Sequence, residues 1–278
     1  MYQSIAFNDR ALKYRIYRKA RRIYDTLFAR VNEKPIFILG NQKSGTTVIA
    51  LLLADATLTS VTIDLFKEIY DPEFQHLFQH PGRFAGFIKK NRADFSRNFV
   101  KEPNLTLFFP FLKERFPHAK FVMVVRDPRD NIRSILDRLQ LSGTLDDSVE
   151  DIRPAISEAW SYVLDNRWYL DCGDHYIDSL SARWNYMADI YLDHRDDIHL
   201  VRYEDFRKDK IGAIQQLTSA IGLPVRNDIT PLVNRQFQRK GNHRKLDVRH
   251  FFSPENLRRI ERVCAQSMAA LGYDGKYS

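Results

Sequence analysis

Cysteine is scarce in this chain. Cys172 and Cys264 are the only two among 278 residues, too few for a disulfide framework or a zinc site, so a reducing compartment is the expectation. Long apolar runs are missing as well: none approaches the roughly 18 residues of a membrane-spanning helix. The first twenty residues lack the apolar core of a signal peptide. There is no internal repeat and no low-complexity tract. Acidic residues fall short of basic ones, 35 against 43, which leaves a formal net charge of +8 and a pI near 9.4. That excess points to an anionic partner: nucleotide phosphate, acidic glycan, anionic lipid or nucleic acid. A modest basic excess also serves plain solubility. The length suits one large α/β domain or two small ones.

One further absence is local. Pro35–Thr47 reads PIFILGNQKSGTT, a short apolar run, a Gly-bounded polar loop and the start of an apolar helical pattern. A buried strand, a loop and a helix in that order hold phosphate through loop N–H groups and the helix N-terminus. Gly40 and Gly45 have the spacing of a P-loop, yet Thr46 stands where that motif has Lys, and the cation sits inside the loop at Lys43. A P-loop NTPase also places an Asp at the end of a neighbouring apolar strand to help hold Mg²⁺. Here the apolar strand FVMVV ends in Arg126.

The rest of the chain reads as alternating strands and helices. Residues 9–31 form a basic amphipathic helix, with Leu12, Ile16, Ala20, Ile23, Leu27 and Val31 at helical spacing. Such a helix can lie on an anionic membrane surface or pack with a solvated basic face. Strands are expected at Ile36–Leu39, Val61–Ile63, Phe99–Lys101, Lys120–Val125 and His199–Arg202. Helices are expected from about Gly45 to Asp55, over Leu105–Phe116 with a kink at Pro110, from Asp127 to about Leu139, over 150–170, 176–194 and Gly212–Ile221, and from Ser253 to Leu271. The pattern predicts an α/β fold in a single domain over 1–278, a P-loop-type central parallel sheet of about four to five strands flanked by helices. A helical insert at about 140–180 is the expected acceptor side, with Trp168 and Tyr169; core packing is the default for Trp160, Trp168 and Trp184. Ligands belong outside the carboxyl ends of the strands, where Gly40 and its loop, Asp64, Lys101, Arg126 and Tyr203 gather. Cations without an evident Mg²⁺ carboxylate suit a nucleotide that is not a triphosphate.

Four segments in order resemble the sulfotransferases that use 3′-phosphoadenosine 5′-phosphosulfate (PAPS). Lys43-Ser44-Gly45-Thr46-Thr47 looks like their 5′-phosphosulfate loop. Arg126-Asp127-Pro128-Arg129-Asp130 with Ser134 resembles the 3′-phosphate motif, in which an Arg and a Ser eight residues later grip the extra phosphate. Arg202-Tyr203-Glu204-Asp205-Phe206 is similar to the segment whose Tyr lies beside the adenine, and Arg239-Lys240-Gly241 to the C-terminal segment that closes over the 3′-phosphate. The resemblance implies transfer of a sulfuryl group from PAPS to an acceptor hydroxyl on a carbohydrate, glycolipid or other small molecule, with adenosine 3′,5′-bisphosphate (PAP) released and no metal required. It implies that Lys43 meets the departing phosphate oxygen, that the Ser44–Thr47 backbone and the Thr46 and Thr47 hydroxyls hold the 5′-phosphate, and that Lys101 faces the sulfuryl oxygens. Thr46 and Thr47 could equally cap the helix.

The general base is the open position. The cytosolic branch has a His two residues after its Lys, and this chain has Pro103 there. In tyrosylprotein sulfotransferases a Glu follows the loop's basic residue by 21 positions, which here is Asp64. Asp64 is the first candidate, Glu102 the second and Glu68 the third. Of the neighbours of Arg126, Arg129 and Asp130 are expected to be solvated or paired. The expectation is a cytoplasmic enzyme, with peripheral membrane contact through the N-terminal helix and no nucleic-acid partner. Two rivals predict other behaviour: a nucleotide or sugar kinase with a variant P-loop, and a non-catalytic protein binding anionic lipid or nucleic acid.

Overall fold

The computed structural model describes residues 28–235, 237 and 246–274. The predicted helix over 9–31, beyond its last four positions, and the Arg239-Lys240-Gly241 segment lie outside the described residues. Five strands, β1 (Ile36–Gly40), β2 (Val61–Ile63), β3 (Phe99–Lys101), β4 (Lys120–Val125) and β5 (Ile198–Arg202), form one parallel sheet in the order β2-β3-β1-β4-β5. Its five longest helices are α1 (Thr46–Thr57), α2 (Pro128–Leu139), α3 (Tyr176–Asp193), α4 (Lys210–Ala220) and α5 (Pro254–Ala270).

The continuous apolar strands follow from burial on both faces. Because side chains alternate, Ile36, Ile38, Phe99, Val122 and Val124 pack on one side with Ile49, Leu52 and Leu53 of α1 and Ile214 and Leu217 of α4. Phe37, Leu39, Val100, Phe121, Met123 and Val125 face the other side, with Ile177, Leu180 and Trp184 of α3 and Ile260 and Cys264 of α5. The result is a three-layer sandwich whose carboxyl edge opens where β1 and β4, the two central neighbours, diverge to helices on opposite faces.

All five strand expectations hold within one residue. Two helical expectations need correction. Leu105–Phe116 is a 3₁₀ segment (Pro103–Phe108) followed by a short α-helix (Phe109–Arg115). Pro110 therefore sits in the first turn, where its missing N–H costs nothing, and makes no kink. The stretch 150–170 is broken into Val149–Ile152, a 3₁₀ turn at Arg153–Ala155 and Glu158–Leu164, because Pro154 and the Ser157 boundary interrupt the ladder. For Arg129, expected to be solvated or paired, the structure shows the pairing: it is 2% exposed and donates to both carboxylate oxygens of Asp127, to Glu261 and to the Tyr273 carbonyl.

Asp127 does two jobs at the head of α2. Its side chain caps the helix by accepting from Arg129 N at 3.0 Å and holds the Arg129 guanidinium at 2.9 Å, fully buried. Removing it deletes a cap and strips a buried cation of a partner. Asp127→Ala should lower unfolding free energy by on the order of 3 kcal/mol in urea titrations; a loss no larger than a simple cap, about 1 kcal/mol, would show that Glu261 and the Tyr273 carbonyl suffice for Arg129.

Candidate active site

The loop between β1 and α1 is shaped by close approach. Gly40 has φ 133°, and a Cβ there would lie 2.3 Å from the Val124 carbonyl oxygen; Gly45 has φ 97°, and a Cβ there would meet the Tyr203 ring at 2.4 Å. Both positions demand glycine. Between them Lys43 also takes a left-handed backbone, φ 65°, an arrangement that a non-glycine residue adopts at a cost. The N-cap of α1 is Gly45, so neither Thr46 nor Thr47 stands at the cap position. Both are nonetheless buried, as is Ser44. The Ser44 hydroxyl accepts from Asn131 at 3.0 Å, and the same amide donates to the Gln42 carbonyl at 2.8 Å.

Cations converge around that loop. Lys43, Arg126, Arg133, Arg138, Arg207, Lys210 and Arg235 line one cavity of 720 Å³, together with Thr46, Thr47, Ser134 and Tyr203. Arg126, just past β4, donates to the Lys43 carbonyl at 2.9 Å and lies over the Tyr203 ring, 5.0 Å from its centroid. The Trp184 indole N–H fixes the Arg126 carbonyl at 2.8 Å. Burial pushes the Lys43 ammonium pKa below its ordinary value, with the charges of Arg138 and Arg126 adding to the effect. Burial likewise lowers that of Arg126. A pocket that destabilises its own cations is built to take up negative charge.

Carboxylates line the same cavity: Asp64, Glu68, Glu102 and Asp137. Asp64 follows β2 with φ 60°, and its side chain forms an ion pair with Lys101, which is 4% exposed at the end of β3. The Asp64 carboxylate remains about one-third exposed to the cavity. Glu102 faces inward: its oxygens accept from Leu65 N at 3.2 Å and Asn104 N at 3.0 Å, capping the 3₁₀ segment that follows. Burial, helped by the nearby Asp64 charge, pushes its pKa up to about 7. Glu68 lines the cavity but is engaged by Glu73 N at 2.8 Å and Asn91 Nδ2 at 3.0 Å. Of the described candidates, Lys43, Gly45, Thr46, Thr47, Asp64, Glu68, Lys101, Glu102, Arg126, Ser134 and Tyr203 line this one cavity, and Ser44 is buried and does not.

Sequence reading passed over several participants. Arg138, Arg207, Lys210 and Arg235 are ordinary surface residues by spacing, and only the fold gathers them. Trp160, expected in the core, is half-buried on the cavity wall under the Arg138 guanidinium. Arg183 is fully buried beneath the loop; the signal for it is a charge at an apolar-stripe position of α3, three residues after Leu180 and four before Met187. Among the described residues, no group of three or more His, Cys, Asp or Glu is placed to hold a metal ion.

Comparison with known proteins bears on this cavity. A family model described as Sulfotransferase family matches residues 65–228, a span that includes Lys101, Arg126, Ser134 and Tyr203 and leaves out the loop. No curated protein matches the chain in sequence. Among solved structures, a sulfotransferase from Mycobacterium avium aligns with a TM-score of 0.51 at 12% identity, over 92% of this chain and 81% of that one. A mouse sulfotransferase complexed with PAP aligns at 0.48 and 14% identity, over 88% of both chains. At such identity the likeness to the mycobacterial protein speaks for the fold alone.

Glu102 gives the cavity a pH signature. The folded protein holds its proton more tightly than the unfolded chain does, so stability from the protonated form is full below the ordinary value near 4.5 and falls as pH rises through about 7. Glu102→Gln keeps a neutral group throughout. Urea unfolding should show the variant gaining on wild type by roughly 3 kcal/mol between pH 5 and 8; a gap that does not move with pH would contradict this placement of Glu102.

Proposed function

This chain belongs to the sulfotransferase family, and we propose that it moves a sulfuryl group from PAPS to a hydroxyl on a small molecule or glycolipid. The observation that carries the reading is the gathering of seven cations with the β1–α1 loop in one cavity that Asp64 and Glu102 also line. A nucleotide with phosphates on both 3′ and 5′ oxygens would satisfy cations that are otherwise crowded and desolvated. The donor supplies an activated sulfuryl group. The chain's residues then have separable tasks.

The α1 N-terminus, with Thr46, Thr47 and the Ser44–Gly45 backbone, would hold the 5′-phosphate. Arg126 and Ser134, an arginine at a strand end and a serine two turns along α2, would hold the 3′-phosphate, with Tyr203 against the base. Arg239, Lys240 and Gly241 complete that grip in the same reading. Lys43 offers positive charge to the phosphate oxygen as its bond to sulfur breaks, and Lys101 to the sulfuryl oxygens. Asp64, open to the cavity, takes the acceptor hydroxyl proton as the new oxygen–sulfur bond forms. Glu102 holds the turn that presents Asp64, through Leu65 N. The site residues assigned here include no metal ligand.

The acceptor wall supports a compound with an apolar portion. Ile69, Pro72, Trp160 and Val163 line the cavity beyond Asp64, and the short helix Phe66–Tyr70 packs on Glu158–Leu164 to close that side. Among the described residues no helix is long and apolar enough to cross a membrane. The free cysteines agree with a cytoplasmic location. Peripheral membrane contact would rest on residues 9–31, and nucleic acid is not among the proposed partners.

Calorimetry should find PAP bound at least about tenfold more tightly than AMP, a difference of about 1.4 kcal/mol; equal affinities would remove the 3′-phosphate from Arg126 and Ser134. Lys43→Ala should abolish sulfate transfer in a protein that still folds, and retained turnover would take Lys43 out of the mechanism. Asp64→Asn should reduce kcat by about a hundredfold or more while PAP affinity stays level. If Glu102→Gln has that kinetic effect and Asp64→Asn does not, the base is Glu102.

A further inference from the structure

Arg183 is 0% exposed, and none of its hydrogen-bond partners is a carboxylate. Its guanidinium donates to Asn41 Oδ1 at 3.1 Å and Gln42 Oε1 at 2.9 Å in the donor loop. It donates to Asn104 Oδ1 at 2.7 Å, beside Glu102. It also donates to Asn166 Oδ1 at 3.0 Å, the Tyr169 hydroxyl at 3.3 Å and the Tyr162 carbonyl at 3.3 Å, all on the acceptor side. Burial lowers its pKa, opposed by Tyr169 and by the more distant charge of Glu102. A buried charge satisfied by neutral oxygens is a poor stabiliser compared with an apolar side chain of the same volume. What the arginine adds is reach: one planar fork spans three chain segments that touch the two substrates' halves of the cavity.

The segments are tied to each other through that fork. Asn104 Oδ1 accepts from both Arg183 and the Gln42 amide, the latter at 2.9 Å. Asn166 Oδ1 accepts from both Arg183 and the Tyr169 hydroxyl, the latter at 3.0 Å. Asn166 is itself fully buried and donates to Ser179 on α3. A buried donor that loses one partner cannot turn to water, so displacement of the loop is felt at Asn166 and Tyr169. We propose that Arg183 is a positioning residue that couples the donor loop at Asn41–Gln42 to the acceptor-side segment 162–169, so that filling one half of the cavity orders the other. The coupling rests on the donor reading given above, and by linkage it acts in both directions.

Hydrogen exchange of the full chain, with and without PAP, tests this. In wild type, PAP should slow exchange in 41–47 and also, by about tenfold, in 162–169, while α5 is unchanged. Arg183→Lys keeps charge and bulk and loses the fork. It should bind PAP and protect 41–47 while 162–169 no longer responds. A role confined to filling space and supplying charge would be rescued by lysine. Tyr169→Phe, which removes one hydroxyl, should weaken the response of 162–169 in the same way and serves if Arg183→Lys does not fold. Protection of both segments in Arg183→Lys and Tyr169→Phe alike, or protection of 41–47 alone in wild type, overturns the coupling. Absence of PAP protection at 41–47 overturns the donor reading. The coupling is then judged in unliganded protein, where Tyr169→Phe should raise exchange in 41–47 as well as 162–169, and a rise confined to 162–169 overturns it.

Discussion

Like charges are held together at the carboxyl edge of the sheet, and most of the site is arranged around the cost of doing so. Lys43 is desolvated and repelled by Arg138 and Arg126, and Arg126 is desolvated in turn, which on its own would drive the loop and the β4 end apart. Opposing forces are therefore built into the frame. Arg126 bonds to the carbonyl of the residue whose ammonium it repels and rests on the Tyr203 ring. Trp184 holds its carbonyl from α3. The Tyr203 ring in turn occupies the space that any Gly45 side chain would need. The glycine, the tyrosine and the arginine are one packing unit.

The adjacent pair Arg183-Trp184 makes α3 the structural back of that unit. Arg183 holds the loop from below, and Trp184 holds the strand end beside it. α3 is packed along α5 and buried with it in one core, so the loop's support comes from the layer opposite the helix α1 that the loop leads into. A site on rigid elements from both faces of a sheet is held more tightly than one built on loops alone. In the same cavity, Lys101 neutralises Asp64 while Glu102 stays buried, which keeps one acid of the pair open to the cavity and the other inside.

Strand ends were the most legible part of the chain. An apolar run that stops at Gly40, Asp64, Lys101, Arg126 or Tyr203 announces both a buried strand and the residue it delivers, because the strand period and the sheet's parallel order send every carboxyl end to one edge. The N-caps Asp127 and Ser253 were equally readable. Residues 150–170 were not: local helical pattern there yields to Pro154, to packing of Trp160 at the cavity wall and to packing of Trp168 against Phe78 and Tyr169. Arg138, Arg207, Lys210 and Arg235 carry no local mark, since helix faces converge on the site only through tertiary packing. Arg183 left a faint one, a charge in an apolar stripe, which becomes meaningful only when the neutral oxygens of Asn41, Gln42, Asn104 and Asn166 are seen around it.

Under the proposed function this cavity takes sulfate from PAPS and takes no phosphate from ATP. The most direct test offers the protein a mixture of hydroxylated lipids and small alcohols with sulfur-labelled PAPS in one reaction and with γ-phosphorus-labelled ATP and Mg²⁺ in another. The account predicts a labelled organic product from PAPS and none from ATP. Label carried over from ATP, with none from PAPS, would contradict it.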